Sequence, residues 1–388
     1  RATRDLRLAV GKTYPGAKLR WTAHAPEQVD GVVWDEALDT LHQAMNAAAD
    51  SLGAVGEVSP DMVRLHERAL ALAGLIETFS GGCKVGSVRW MDVGNQLRLV
   101  ESPLDIAETV KTRLLGSSDE AGSNRSWIFT SATLGDDPSL RWFTEPCGLE
   151  SAEILKVGSP FDYAAQAAVY VPRQLPKPND PAHTTQVAQF VASHAPLIQG
   201  RTLVLTTTLR ALRGISETLQ QQFAGSSVLE VLVQGQRPKR ELMERFRKGD
   251  VDGQPGCILV ASASFWEGVD VPGDALQMVV IDKLPFPPPN DPLVEARANR
   301  LEQAGRSSFS DYFLPEAAVA LKQGAGRLIR RESDTGILVL CDTRLVSMGY
   351  GRRLMTALPP MRRLDSEANF LQALKGLTRT STTDPSWT

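Results

Sequence analysis

Residues 323 to 331 read QGAGRLIRR, with two glycines and three arginines set around Leu328 and Ile329. Gln323, Arg327 and Arg330 stand at i, i+4 and i+7, which predicts a shared face on a helix running through the stretch. A guanidinium fork matches phosphate oxygens, so two arginines aimed together suit a polyphosphate. Gly326 lets a backbone or ligand approach closely, where a helix built for stability alone favours alanine by about 1 kcal/mol. Arg331 turns off this face and reads as a solvated or DNA-facing charge. Ion pairing or solvation explains arginines taken singly; the shape Q-x-x-G-R-x-x-R sets this stretch apart.

Three further stretches place polar side chains at the ends of apolar runs. TSATL (130–134) and TTTLR (206–210) offer Ser131, Thr133, Thr206, Thr207 and Thr208. Such hydroxyls, with nearby N–H groups, can contact a phosphodiester backbone without reading sequence, or simply form the turns common at strand ends. In SASFWEGVD (262–270), Phe265 and Trp266 can stack on bases or sit in a core; for aromatics alone the core is the commoner fate. Glu267 and Asp270, flanking Gly268, can bond a ribose, hold an arginine or cap a helix.

The surrounding elements must position these groups. The first 80 or so residues read as mainly helical: WDEALDTLHQAMNAAADSL (34–52) and SPDMVRLHERALALAGLIETFSG (59–81) have helical spacing and form a hairpin about VGEV (55–58). Ser59 is an N-cap, Pro60 opens the second helix and Gly81 follows near its end. GSVRWMDV and QLRLVES are strands about a DVGN turn; LDIAETVKTRLL is a helix; SDEAGSNRS (118–126) is a polar loop; WIFTSATL (127–134) is a strand. After about 165, apolar strands at 201–208, in SSVLEVLVQG, and at 257–264, 276–286 and 336–342 alternate with helices at LRALRGISETLQQQF, 239–249 and LPEAAVALKQGAGRLIRR. That alternation predicts an α/β fold with a parallel sheet covered on both faces. Ligands of such sheets sit at the carboxyl ends of the strands, where the polar stretches fall. PRQLPKPNDP (172–181) and PFPPPNDP (285–292) are extended loops, and TRTSTTDPSWT (378–388) reads as disordered.

The 388 residues suggest two domains, and 42% hydrophobic with 22% charged residues is ordinary for a globular protein. A net charge of −3 excludes a uniformly basic nucleic-acid binder but not local patches. Residues 323–363 carry eight arginines against Glu332, Asp334 and Asp342, a local balance of +5. Cys83, Cys147, Cys257 and Cys341 lack metal-ligand spacing, so reduced thiols and a cytoplasmic location are expected. No run is long enough to cross a membrane, and no signal peptide opens the chain. GKT at 11–13 mimics the end of a phosphate loop, but Leu6 stands where the first glycine belongs and Pro15 blocks the following helix. No other such loop occurs, and Asp282, after MVVI, is followed by Lys283 rather than glutamate.

In order, TSATL, TTTLR, SFWEGVD and QGAGRLIR resemble motifs III to VI of superfamily 2 helicases. SWIFTSATL, GSPFDY (158–163), SFWEGVDVPGD, IDKLPFPPPNDPL and LKQGAGRLIR look closely like the DinG/YoaA branch of the XPD-like helicases. The resemblance is strong from about 126 to 363 and weaker before it. It implies a helical arch-like subdomain (1–85), the last strands of a first RecA-like motor domain (86–135), a linker (136–165), a second RecA-like motor domain (166–365) and a C-terminal tail (366–388). It further implies that the family's phosphate loop, four iron–sulfur cysteines and DEAH box lie upstream of Arg1, so the chain is expected to be the C-terminal part of a helicase and inactive as an ATPase alone. ATP and Mg2+ are then shared with that missing half, and a [4Fe-4S] cluster belongs only to it.

By this resemblance Arg327 and Arg330 act as arginine fingers on the γ-phosphate. Gln323 and Gly326 hold the nucleotide, and Glu267, Gly268 and Asp270 link its cleft to DNA. Thr207, Ser264 and Trp266 line a single-stranded DNA track, while Ser131 and Thr133 couple domain closure to strand movement. Movement from 5′ to 3′ on single-stranded or forked DNA, and work in repair or replication with other proteins of those processes, are implied in the same way. An alternative reading is a non-catalytic RecA-like module that binds single-stranded DNA or a replication protein. An unrelated α/β enzyme ranks last, since no nucleophile–base pair or GxGxxG supports it.

Overall fold

The computed structural model describes residues 1–14, 16–55, 59–116, 126–135, 137–262, 265, 271 and 273–379. The chain forms two compact units. The first comprises 1–127, 145–149 and 287–311; the second comprises 128–144, 150–286 and 312–388.

The first unit pairs a helical hairpin with a small antiparallel sheet. Helices Gly31–Ala54 and Pro60–Ser80 form as their caps dictate: the Asp30 carboxylate accepts from the Val32 and Val33 N–H groups, and Ser59 Oγ accepts from Asp61 N–H. Of the expected link between them, residues 56–58 lie outside the described set. Within the stretch read as helical, a strand also forms. β1 (Ala17–Arg20) pairs antiparallel with β2 (Ser87–Val93), which pairs with β3 (Leu97–Pro103). Ala17 and Leu19 alternate inward with period two, a four-residue signal easily lost beside long helices. Trp21, Trp34, Leu38, Met91 and Val93 fill the core.

One buried arginine fastens this unit. The side chain of Arg89, on β2, is 2% exposed. Its Nε donates to Glu101 Oε2 at 2.5 Å, Nη1 to the Gly81 carbonyl at 2.6 Å, and Nη2 to the Thr78 and Gly82 carbonyls at 2.6 and 3.1 Å. The last carbonyls of a helix lack intrahelical donors, and Arg89 supplies them at the end of Pro60–Ser80. Its guanidinium also lies over the rings of Trp21 and Phe79. Segment 287–311, whose helix Pro292–Gln303 starts at an Asp291 cap, is joined to the rest of this unit by ion pairs: Lys18–Asp291, Arg20–Glu295, Arg300–Asp105 and Arg306–Glu145.

The second unit is α/β. β4 (Ala167–Tyr170), β5 (Thr202–Leu205), β6 (Leu229–Val233), β7 (Gly256–Ala261), β8 (Met278–Ile281), β9 (Gly336–Leu340) and β10 (Arg362–Leu364) build a seven-stranded sheet ordered β10-β4-β9-β8-β5-β7-β6, every pairing parallel. Helices cover both faces, as a parallel sheet requires. Leu203, Leu205 and Leu259 pack one way, under Phe246 and Leu321; Val204, Val260 and Val280 pack the other way, under Ile215 and Val191.

Two readings of the sequence change here. WIFTSATL forms no strand: among the described residues, 126–135 make no ladder pairing, and Ile128 is 84% exposed. An apolar, β-branched run becomes a strand only where a neighbour takes its N–H and C=O groups. The stretch read as a tail from 366 carries the helix Glu367–Arg379. Its Phe370 stacks on Tyr170 at 4.5 Å between ring centroids and on Phe190 at 5.5 Å, and it buries Leu374 and Leu377 with it. Residues 380–388 lie outside the described set.

Candidate functional site

Several polar groups of the second unit lie at the carboxyl ends of its strands, whereas residues 330–334, at the end of QGAGRLIRR, lead into the amino end of β9. After β5 come Thr206, Thr207 and Thr208, whose hydroxyls do different work. Thr206 is buried and bonds the Ala261 carbonyl at 3.2 Å, tying β5 to β7. Thr208 caps the helix Leu209–Gln222 by accepting from Ala211 N–H at 3.1 Å. Thr207, half-buried, is held from below: its N–H donates to Asp282 Oδ1 at 2.9 Å, and its hydroxyl stands 3.5 Å from Asp282 Oδ2. Of the three, Thr207 alone has neither a ladder nor a cap to satisfy.

Asp282, at the end of β8, also accepts from Lys283 N–H at 2.8 Å. Burial raises its carboxyl from the usual aspartate range to about 7; the charge of Lys283 and the Thr207 and Lys283 N–H bonds oppose that rise. Just past the end of neighbouring β9, Asp342 is equally buried but paired: Arg344 Nε and Nη2 grip its two oxygens, and Leu284 N–H donates to it at 2.8 Å. Sequence reasoning passed over Asp282 because it lacked a following glutamate. The available signal was an aspartate closing the apolar run MVVI.

The end of β6 supports the end of β7. Gln234 Oε1 accepts from the Ser262 N–H and hydroxyl at 2.7 and 3.1 Å, fixing the start of SASFWEGVD. Phe265 is 2% exposed, lies in the core and carries Lys239 4.8 Å from its ring centroid, so it is no platform for a base. Ser264, Trp266, Glu267, Gly268 and Asp270 lie outside the described residues.

QGAGRLIRR departs from the continuous helix its spacing predicts. The helix Leu314–Ala325 stops two residues past Gln323; Gly326 caps it with φ −67° and ψ 0°. Arg327 then lies in a turn and Arg330 in irregular chain, so the i, i+4, i+7 face does not exist. Leu328 and Ile329, adjacent in sequence and just beyond the helix end, are each 1% exposed and join the core. Leu328 closes on β9, where a Cβ on Gly336 would fall 2.5 Å from Leu328 Cδ1.

The turn is rigidly held. Asp334 Oδ2 accepts from the Arg330 and Arg331 N–H groups at 2.7 and 2.8 Å, while its Oδ1 accepts from Gly273 N–H at 3.0 Å. Gln166 Nε2 donates to the carbonyls of Arg331, Glu332 and Asp334. Arg327 and Arg330 are half-buried on this fixed backbone, and Arg331 is exposed. Gln323 Nε2 donates to Thr133 Oγ1 at 3.3 Å, and Ser131 Oγ accepts from Thr133 N–H at 3.1 Å. Two motifs 190 residues apart thus meet directly.

The basic stretch 323–363 does not form one groove. Arg344 is committed to Asp342 and to the face of Phe286. Arg362 and Arg363 border a cavity at the amino ends of β4 and β9, at the opposite end of the sheet from Thr207. GKT at 11–13 sits in a turn with Gly11 at φ +70°, with neither a strand before it nor a helix after it.

A family model for the helicase C-terminal domain matches residues 191–361. The ATP-dependent DNA helicase YoaA of Escherichia coli is 36% identical over 361 residues, covering 92% of this chain and 53% of that protein. The chain belongs to the DinG/YoaA helicase family. The ATP-dependent helicase DinG of Mycobacterium tuberculosis is 32% identical over 72% of the chain and 40% of its own length. The chain therefore spans about half the length of these family members, or less. A solved XPD helicase superposes over 94% of the chain and 60% of its own at TM-score 0.53 and 15% identity, a likeness of fold.

No helix among the described residues is long and apolar enough to cross a membrane. Nor, among those residues, does any group of three or more His, Cys, Asp or Glu side chains fit a metal ion. Cys257 and Cys341 are buried thiols pushed upward by that burial, Cys257 to about 11.

Proposed function

We propose that this chain supplies the DNA-gripping, arginine-donating half of an ATP-dependent 5′–3′ DNA helicase that acts in repair or replication. Residues 166–365 serve as its second RecA-like motor domain, 1–85 as an arch-like subdomain, 86–135 as the closing part of the first motor domain and 136–165 as the linker. In this reading ATP lies against Gln323, Gly326, Arg327 and Arg330. The phosphate loop and any metal site come from elsewhere in the full-length protein. Guanidinium groups facing the γ-phosphate stabilise the charge that develops as it departs. Thr207, with Ser264 and Trp266, contacts the backbone of single-stranded DNA. Glu267, Gly268 and Asp270 link the two sites.

The observation that carries this reading is the hydrogen bond from Gln323 to Thr133. It connects the nucleotide-side helix to TSATL without an intermediary, so a change at the phosphate reaches Thr133, beside Ser131, through one contact.

The test is made in the full-length protein. Arg327→Ala is expected to lower DNA-stimulated ATP hydrolysis by about 10³-fold or more, with nucleotide binding retained. Unchanged turnover refutes the finger role. Strong ATP hydrolysis by the 388-residue chain alone refutes the division of labour.

A further inference from the structure

Asp282 presents a problem the reading above does not solve. It is 2% exposed, and among the described residues no arginine or lysine side chain bonds to it, unlike neighbouring Asp342 with its Arg344 fork. A buried carboxylate without a fork partner is costly. An asparagine would accept the same Thr207 and Lys283 N–H bonds without that cost. The ionisable group therefore needs a reason of its own, and its position supplies one: it lies directly beneath Thr207.

We propose that Asp282 is a positioning residue for the Thr207 loop, and that binding of single-stranded DNA at this strand end places a solvent proton on its carboxyl. This rests on the reading of Thr207 as a DNA contact. In both protonation states Oδ1 can accept the Thr207 and Lys283 N–H groups, so the loop stays in place. Oδ2 differs between the states. Ionised, it draws the Thr207 hydroxyl hydrogen inward and sets a negative charge under an incoming phosphate. Protonated, it donates to Thr207 Oγ1, which frees the Thr207 hydrogen to donate outward to a phosphate oxygen. The phosphodiester charge itself favours the protonated form. The proton comes from water and returns to it on release.

The surroundings permit this. Among the described residues, the charged and titratable groups about Asp282 are Lys283 on its own strand end and the Cys341 thiol just past β9, which feels both Asp282 and Asp342. His183, from the helix His183–His194, bonds the Cys341 carbonyl, and Arg344 is held by Asp342. With the free carboxyl near 7, both forms are populated around neutrality. Linkage then fixes the sign: DNA raises the carboxyl above its free value, so affinity is level below about pH 7 and falls as pH rises toward the DNA-bound value.

The experiment measures binding of a fluorescein-labelled oligo-dT strand to the chain by anisotropy from pH 6 to 9, for wild type, Asp282→Asn and Thr207→Ala. Calorimetry at pH 7.5 in buffers of differing ionisation enthalpy counts protons on the wild type. We expect wild-type affinity to fall about tenfold across the range, equivalent to one pKa unit, Asp282→Asn to change less than about twofold on that same scale, and net proton uptake by the wild type. Equal pH slopes for wild type and Asp282→Asn, or no proton uptake by the wild type, overturn the proposal while leaving the DNA track intact. Wild-type affinity retained by Thr207→Ala overturns the track reading, and this proposal with it. Should Asp282→Asn fail to fold, wild-type proton uptake decides.

Discussion

Arginine is used in two ways in the two units. In the first, the guanidinium of Arg89 is the fastener: it holds Glu101 and the carbonyls of Thr78, Gly81 and Gly82. In the second, the main chain at Arg330 and Arg331 is itself fastened, by Asp334 beneath its N–H groups and by Gln166 across its carbonyls. The lesson concerns what an arginine-rich stretch must provide. An arginine that holds structure spends its donors on backbone and becomes buried. Arginines meant for a ligand need a backbone positioned by other residues.

The contrast can be broken most forcefully at Arg89. Removing one partner of a buried pair leaves the other charge unpaired and typically costs about 3–5 kcal/mol. Arg89→Ala should therefore melt the first unit early in calorimetry while the second unit's transition stays in place. A single transition, shifted as a whole, would show that the two units do not unfold independently. Asp334→Ala comes next. It strips the acceptor from the Arg330, Arg331 and Gly273 N–H groups, at about 1–3 kcal/mol for each buried group left unsatisfied. In the full-length protein, ATP turnover should fall together with stability, and Asp334→Asn should recover part of both by restoring one acceptor oxygen. The smallest effect is expected at Lys18–Asp291 in the first unit, where Lys18 is 44% exposed. A double-mutant cycle should give a coupling of about 0.2–1 kcal/mol that fades in high salt. A large, salt-insensitive coupling would mean that this pair, like Arg89, is a true fastener.

Much of this was legible in advance. Each core strand expected after 201 forms, because near-continuous apolar runs can be satisfied only inside a two-sided parallel sheet. Ser59 and Pro60 mark a helix start with local chemistry, and the helix starts there. The failures share a different cause. Spacing placed Gln323, Arg327 and Arg330 on one helical face; the helix ends at Ala325, and Leu328 and Ile329 enter the core from the non-helical chain beyond it. Composition marked WIFTSATL as a strand, yet among the described residues it has no ladder partner. The helix at Glu367–Arg379 was readable from Phe370, Leu374 and Leu377 at i, i+4 and i+7, but the polar end of the chain obscured it. A charge sum over 323–363 merged Arg344, beyond the carboxyl end of β9, with Arg362 and Arg363, which border a cavity at its amino end.

The sequence by itself determined the family, the parallel sheet and the identity of the polar stretches at its strand ends, because motif order and hydrophobic period are properties of the chain. Only the tertiary structure decided which threonine caps, which ties strands together and which stands over a buried carboxylate. It alone revealed Asp282 beneath Thr207, and Asp334 and Gln166 beneath the main chain at Arg330 and Arg331. Burial, and hydrogen bonds between residues far apart in the chain, assign those roles, and neither is written in local spacing.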